Sequence, residues 1–277
     1  MLRSILVALD STPASSAAQG LAIEMARRLR CQITGIAILD RSYITAPTAV
    51  GIGGSAFKQH RDQVKLKEAQ SFLERLEHGF QDSCEAIGAQ WQVIEAEGVP
   101  HLMIEHESVR HDILVIGKDT DFHLDEDPSI AASVRYLLRE TARPLIVCPD
   151  TVGLDGPVLV AYDGSMSSSR ALHMLALLGH LRDRPIHVLS VADDQATASE
   201  RAAFAAELLT KHEHQVTPHG IRSQAHPADI IFAEATTLGA TLIGMAASGH
   251  RPIQEFFLGS TTQRLLRQSP CPLFFHH

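Results

Sequence analysis

The sequence predicts an α/β protein built twice over, each half a parallel sheet with helices wound on both faces. Three observations predict it. Short strand-like runs alternate with helical patterns, the runs are apolar throughout, and the whole succession repeats once along 277 residues. Alternation of strands and helices implies crossover connections and a doubly wound sheet. A continuously apolar run fits a strand covered on both faces by helices.

The repeat opens with residues 3–10, RSILVALD, and 156–163, GPVLVAYD, apolar runs that each end in an aspartate, Asp10 and Asp163. Ser11 follows the first and Gly164-Ser165 the second. Helical patterns come next, with Leu21, Met25 and Leu29 among the apolar positions of one and Leu172, Leu175 and Leu178 among those of the other. Strands are expected at Gln32–Ile38 and Pro185–Val191, with Asp40 and Asp193 just beyond, then amphipathic helices at about 57–87 and 198–213. Gly98-Val99-Pro100 and Ala225-His226-Pro227 each open a helix, with proline in the first turn, where its missing N–H costs nothing. Strands at Asp112–Gly117 and Thr241–Ala246, one more helix, and closing strands at Pro144–Val147 and Pro272–Phe275 complete the halves.

The stretch 149–156, PDTVGLDG, is punctuated by proline and glycine and divides domains of residues 1–150 and 151–277. It is too short to tether free bodies, so the halves are expected to pack together. Their closing strands, Pro144–Cys148 and Pro272–Phe275, are apolar edges that need covering, and an intramolecular pseudo-dimer through them is expected. Further homodimerisation stays open. Tyr43–Ala56, without periodicity and with three glycines, reads as a surface loop or as a lid over a cleft.

Composition narrows the function. A net charge of -8 and the lack of a basic cluster beyond a helix end at Arg27–Arg30 argue against nucleic acid. No apolar run reaches the roughly 18 residues of a membrane span. Four scattered cysteines without a CxxC pair suit reduced thiols in a cytoplasmic protein. The 16 histidines invite a metal reading. However, His212 and His214 point about 200° apart unless the helix has ended before them, and His101, His106 and His111 spread around one, so surface or capping roles are expected and no metal site. Neither a G-x-S-x-G elbow, a GK[ST] phosphate loop nor a G-x-G-x-x-G loop occurs, and no base or nucleophile pairs with Asp10 or Asp163 by spacing, so no catalytic residue is assigned.

In an open α/β sheet the residues just beyond the strands hold ligands. In the second half these are Ala246-Ala247-Ser248-Gly249, then nine residues, then Gly259-Ser260-Thr261 leading into a helix. Glycine lets backbone approach an anion, and the N–H groups and positive dipole end of a helix start donate to phosphate. The Ser260 and Thr261 hydroxyls add donors. The matching stretch of the first half keeps Gly117 but has Ala131-Ala132 in place of Gly259-Ser260. Asp119, Asp121, Asp125, Glu126 and Asp127 occupy the place of the phosphates. Like charges there disfavour a nucleotide, and the EF-hand order of a calcium loop is absent.

The second-half stretch resembles the phosphate motif of ATP-binding universal stress proteins, G-x-x-G-(nine residues)-G-[S/T], with Ala246 in place of the first glycine and Gly249, Gly259 and Ser260 matching. The resemblance runs through both halves, including the Asp after the first strand and the Pro-Cys-Pro approach to the last. It implies tandem flavodoxin-like (adenine nucleotide α-hydrolase-like) domains, each a five-stranded parallel sheet of order 3-2-1-4-5. It also implies an adenine pocket at Asp163 and Val191, and hence ATP, with or without Mg, in the C-terminal domain alone. The function it implies is that of a stress sensor or regulator with a protein partner the sequence does not identify. The alternatives are a nucleotide-free interaction module and a slow ATPase.

Overall fold

A computed structural model describes residues 2–47, 55–120, 122, 130–179, 181, 183–247 and 258–277. The first half runs β1 (Ser4–Ala8), α1 (Pro13–Leu29), β2 (Gln32–Leu39), α2 (Arg41–Ile44), α3 (Ser55–Ala86), β3 (Gln90–Glu97), α4 (Pro100–Ser108), β4 (Ile113–Gly117), α5 (Ala132–Glu140) and β5 (Leu145–Cys148). The second half runs β6 (Val158–Ala161), α6 (Met166–Leu178), β7 (Ile186–Ala192), α7 (Gln195–Lys211), β8 (Val216–Arg222), α8 (Pro227–Leu238), β9 (Leu242–Ala246), α9 (Ser260–Gln268) and β10 (Leu273–His276).

All ten strands form one sheet, in the order β3-β2-β1-β4-β5-β10-β9-β6-β7-β8. Every neighbouring pair is parallel except β5 with β10, which pair antiparallel with Val147 opposite Leu273, Ile146 opposite Phe274 and Leu145 opposite Phe275. The closing strands therefore meet as expected, and the meeting merges two sheets into one. The apolar-on-both-faces runs are accounted for: β1, β4 and β9 are buried along their length, apart from half-buried Ser4. One apolar cluster lies under α1, α3, α6 and α7, and the other under α4, α5, α8 and α9.

Local signals set the boundaries, and several differ from the sequence expectation by a few residues. Asp112 lies outside β4 because its carboxylate is committed to the start of β1, accepting the N–H groups of Arg3 at 2.6 Å and Ser4 at 3.1 Å. The α7 helix begins at Gln195 rather than 198 because Asp194 caps it, accepting the Thr197 N–H at 2.8 Å. It ends at Lys211, so His212 and His214 lie beyond it. Within the segment read as a loop, α2 forms because Asp40 caps it, accepting the Tyr43 N–H at 2.9 Å. The remaining 48–54 lie outside the described residues. His111, expected at the surface, is buried against Ser4 and Glu107.

Candidate functional site

Superposing the two repeats residue on residue locates the site. The Leu9 N–H donates to the Ile36 carbonyl at 3.0 Å, and the Tyr162 N–H donates to the Leu189 carbonyl at 2.9 Å. Asp10 and Asp163 thus occupy the same station, one residue past the last ladder bond of β1 and β6. Thr12 and Ser165 then cap α1 and α6, accepting from the N–H groups of Ser15 at 3.2 Å and Ser168 at 3.0 Å. The register carries Ile38 onto Val191, Gly117 onto Ala246, Val99 onto His226, and Ala131-Ala132 onto Gly259-Ser260.

In the second half Asp163 is half-buried, and its Oδ1 accepts the Ser165 N–H at 2.9 Å. Between them Gly164 has φ +79°, a left-handed turn that a side chain resists. The Arg201 guanidinium of α7 lies against it: a methyl on Gly164 would sit 3.2 Å from Arg201 Nε. Val191 is half-buried near the carboxyl end of β7, opposite Ile221 of β8. Ala246 ends β9 and is buried. Gly249 lies outside the described residues, as do Ser248 and residues 250–257.

The start of α9 follows Leu258, the first described residue after 248–257. Gly259 is its half-buried N-cap residue with no side-chain cap, Ser260 is exposed and Thr261 half-buried. The nearest atom to a methyl built on Gly259 is Thr262 Oγ1 at 4.0 Å. Among the described residues no side chain caps these N–H groups, and N–H groups at a helix start are a place for an anion. His226 approaches from α8. Its Nδ1 accepts the Ala228 N–H at 3.2 Å, capping that helix, so the ring proton sits on Nε2, which faces Ser260 Oγ at 3.3 Å. The sequence reading missed His226 and Arg201. Aligning the repeats column by column singles out His226, because Val99 fills its place in the first half. Arg201 is a helix position that only the tertiary fold brings to the turn.

The first half is built differently at the same stations. Ile130 and Ala131 are buried, and the Ala131 N–H donates to the Lys118 carbonyl at 3.0 Å; like α9, α5 has no side-chain cap. The hydroxyl pairing of the other half has no counterpart, since the positions are Val99 and Ala132. Of the five acids, Asp119 lies among the described residues; Asp121, Asp125, Glu126 and Asp127 do not. Gly117, taken from the sequence as a surviving phosphate glycine, has a packing role instead. A methyl there would lie 2.4 Å from Ser15 N and 2.5 Å from the Ala14 carbonyl carbon, in the first turn of α1.

Among the described residues no group of three or more His, Cys, Asp or Glu side chains could hold a metal ion, and no helix is long and apolar enough to cross a membrane.

Residues 156–275 match the Universal stress protein family. A universal stress protein of Synechocystis is 28% identical over 166 residues, 58% of this chain and 56% of that protein, so the match spans little more than half of that relative's length. A crystal structure of an Archaeoglobus fulgidus universal stress protein superposes with a TM-score of 0.74 at 21% identity, covering 99% of this chain and 97% of that one. A functionally unknown protein from Pseudomonas aeruginosa superposes with a TM-score of 0.56 at 14% identity, covering 99% and 92%. At these identities the structural likeness is one of fold.

Proposed function

We propose that this chain, which belongs through its C-terminal half to the universal stress protein family, holds one adenine nucleotide in that half and acts as a stress sensor or regulator. Residues 1–150 and 151–277 are taken as two domains, only the second of which keeps a nucleotide site. The chemistry of the two helix starts supports this most: α9 begins with Gly259 and Ser260 beside His226, whereas α5 begins with Ala131 and Ala132, with Val99 in the place of the histidine.

In this reading Asp163 accepts a hydrogen bond from the adenine amino group and Val191 packs on the ring. Gly249, Gly259, Ser260 and Thr261 cradle the phosphates of ATP, with or without Mg²⁺, and Ala246 lies beneath them. Ligand-dependent conformation or partner contact, rather than turnover, carries the signal in this reading. Four buried, unpaired thiols suit a cytoplasmic setting.

Calorimetric titration with Mg-ATP tests it. The expected stoichiometry is near one per chain, abolished by Gly249→Val and untouched by Asp10→Ala. Asp163→Ala is expected to cost about 1–3 kcal/mol of binding, the worth of a lost buried hydrogen bond. Two equivalent sites per chain would overturn the asymmetry, and no binding would favour the nucleotide-free module.

A further inference from the structure

We propose that His187 and His219 form a two-histidine metal site at the outer edge of the sheet, for a divalent transition ion of the copper type. His187 lies on β7 and His219 on β8, the last strand of the sheet. Thr217 stands opposite His187 and Leu189 opposite His219, so the two rings are diagonal neighbours. Alternation along the strands places both on the face that α8 covers, with Leu189, Val191 and Ile221. His187 Nδ1 and His219 Nε2 are 2.8 Å apart, and the ring centroids 5.0 Å.

That separation gives the pair its chemistry. Imidazole nitrogens suit zinc, copper and nickel ions. At a metal–nitrogen bond of about 2.0 Å, nitrogens 2.8 Å apart subtend about 90° at the ion. A tetrahedral site would need them about 3.3 Å apart. A right angle is the cis angle of tetragonal coordination, which favours Cu(II) or Ni(II) over Zn(II), and the order of divalent affinities puts Cu(II) first. Two neutral imidazoles at this distance share one N–H. When the ion arrives, that proton moves to the far nitrogen of its own ring, and the charge of the pair does not change. Both rings are half-buried, so water completes the coordination shell. Glu234 of α8, also half-buried, lies within electrostatic reach of His187 and favours positive charge there.

The repeat shows that packing does not demand these rings. Ile36 pairs with Ile94 as Leu189 pairs with His219, so the first half carries Thr34 and Ile94 at the two stations. The same strands therefore accept a hydroxyl and an aliphatic side chain where the second half has two imidazoles. His187 precedes Val191 by four residues, about 13 Å of strand. The metal site is thus separate from the nucleotide reading, and either can fail alone.

Cu(II) and Zn(II), titrated into the full chain by calorimetry with glycine as competitor, test it, and electron paramagnetic resonance reads the first equivalent of Cu(II). That equivalent is expected to bind more tightly than Zn(II) and to show a tetragonal spectrum split by two imidazole nitrogens. His187→Gln and His219→Gln should each weaken it about tenfold or more, at least what the loss of a supporting partner costs a metal site, and leave one imidazole nitrogen in the spectrum. His187→Thr combined with His219→Ile, which installs the residues of the first half, should abolish the site while circular dichroism stays that of the parent. This paired change decides the matter if a glutamine variant unfolds. His173→Gln with His212→Gln, at another close pair of rings, should leave the first equivalent unaltered. Unchanged Cu(II) affinity in the His187 and His219 variants, loss of the site in the His173 and His212 control, equal affinity for Zn(II), or a parent spectrum with fewer than two imidazole nitrogens would each overturn the proposal.

Discussion

Gly117 is the residue at which sequence and structure assign different jobs, and Gly117→Ala separates them. The new methyl would be built 2.4 Å from Ser15 N and 2.5 Å from the Ala14 carbonyl carbon. These are backbone atoms and cannot rotate aside. Ser15 is also pinned: its N–H donates to Thr12 Oγ1 at 3.2 Å, its hydroxyl donates to the Ala8 carbonyl at 3.2 Å, and it accepts the Asp10 N–H at 2.9 Å. The first turn of α1 must therefore move as a unit away from β4. Overpacking of this kind costs about 1–3 kcal/mol. In a chain of this size it lowers the melting temperature by roughly 2–12 °C, at about 2–4 °C per kcal/mol. The control is Ala246→Gly, which makes the mirror change at the matching station and removes one buried methyl, about 0.8 kcal/mol, without a clash. Urea unfolding followed by circular dichroism reads both. A Gly117→Ala midpoint equal to that of the parent would show that the turn yields freely and that close approach does not explain this glycine.

Other outcomes follow from the same geometry. His226→Ala should lose the α8 cap, about 1 kcal/mol, and weaken ATP binding. His226→Asn should restore the stability but not the affinity, and equal ATP affinity in all three proteins would remove His226 from the site. Burial pushes the Cys31 and Cys84 thiols up to about 11 and raises Cys148 further. Ellman's reagent at pH 8 should therefore leave all four buried cysteines unmodified in the folded chain and modify all four in denaturant; rapid labelling of the folded chain would contradict this. Burial, and secondarily His219, lowers the His187 pKa below its ordinary 6.5. The unfolded chain then binds more protons, so this contribution to stability is full above pH 6.5 and is lost as the pH falls below it. His187→Gln should flatten the decline in melting temperature between about pH 6.5 and 5, and an unchanged slope would rule the residue out.

The alternation of apolar runs with helical patterns made the parallel α/β architecture legible, because strands buried on both faces leave a composition that little else leaves. The repeat made the last-strand pairing legible too, since an apolar edge must be covered. Boundaries were less so: Asp112 read as the start of a strand and Asp194 carried no reading, and only their hydrogen bonds show that one anchors β1 and the other caps α7. The phosphate end was half legible. Gly259 and Ser260 stand at a helix start as the spacing required, but a glycine in sequence does not say whether its missing methyl makes room for a ligand or for a helix. At Gly117 it is a helix. Arg201 was illegible for a related reason, since its approach to Gly164 depends on how α7 lies across α6. The histidine pair left no motif at all, because His187 and His219 stand 32 residues apart and meet only through the register of β7 and β8.

The antiparallel seam has a consequence for how the two halves relate. Within each half every strand is parallel, and β5 and β10 run opposite ways, so all five strands of one half oppose all five of the other. The carboxyl ends of the first half therefore lie along one rim of the sheet and those of the second half along the other. Asp10 and Asp163, equivalent by repeat, face away from each other across the full length of the strands. No single ligand bridges them. Any influence of one half on the other has to pass through the seam, where Leu145, Ile146, Val147, Leu273, Phe274 and Phe275 are all buried and interlocked. A seam so closely packed transmits displacement rather than absorbing it. It is also apolar and insensitive to charge, so what it can report is whether a strand has moved, and not which ion arrived.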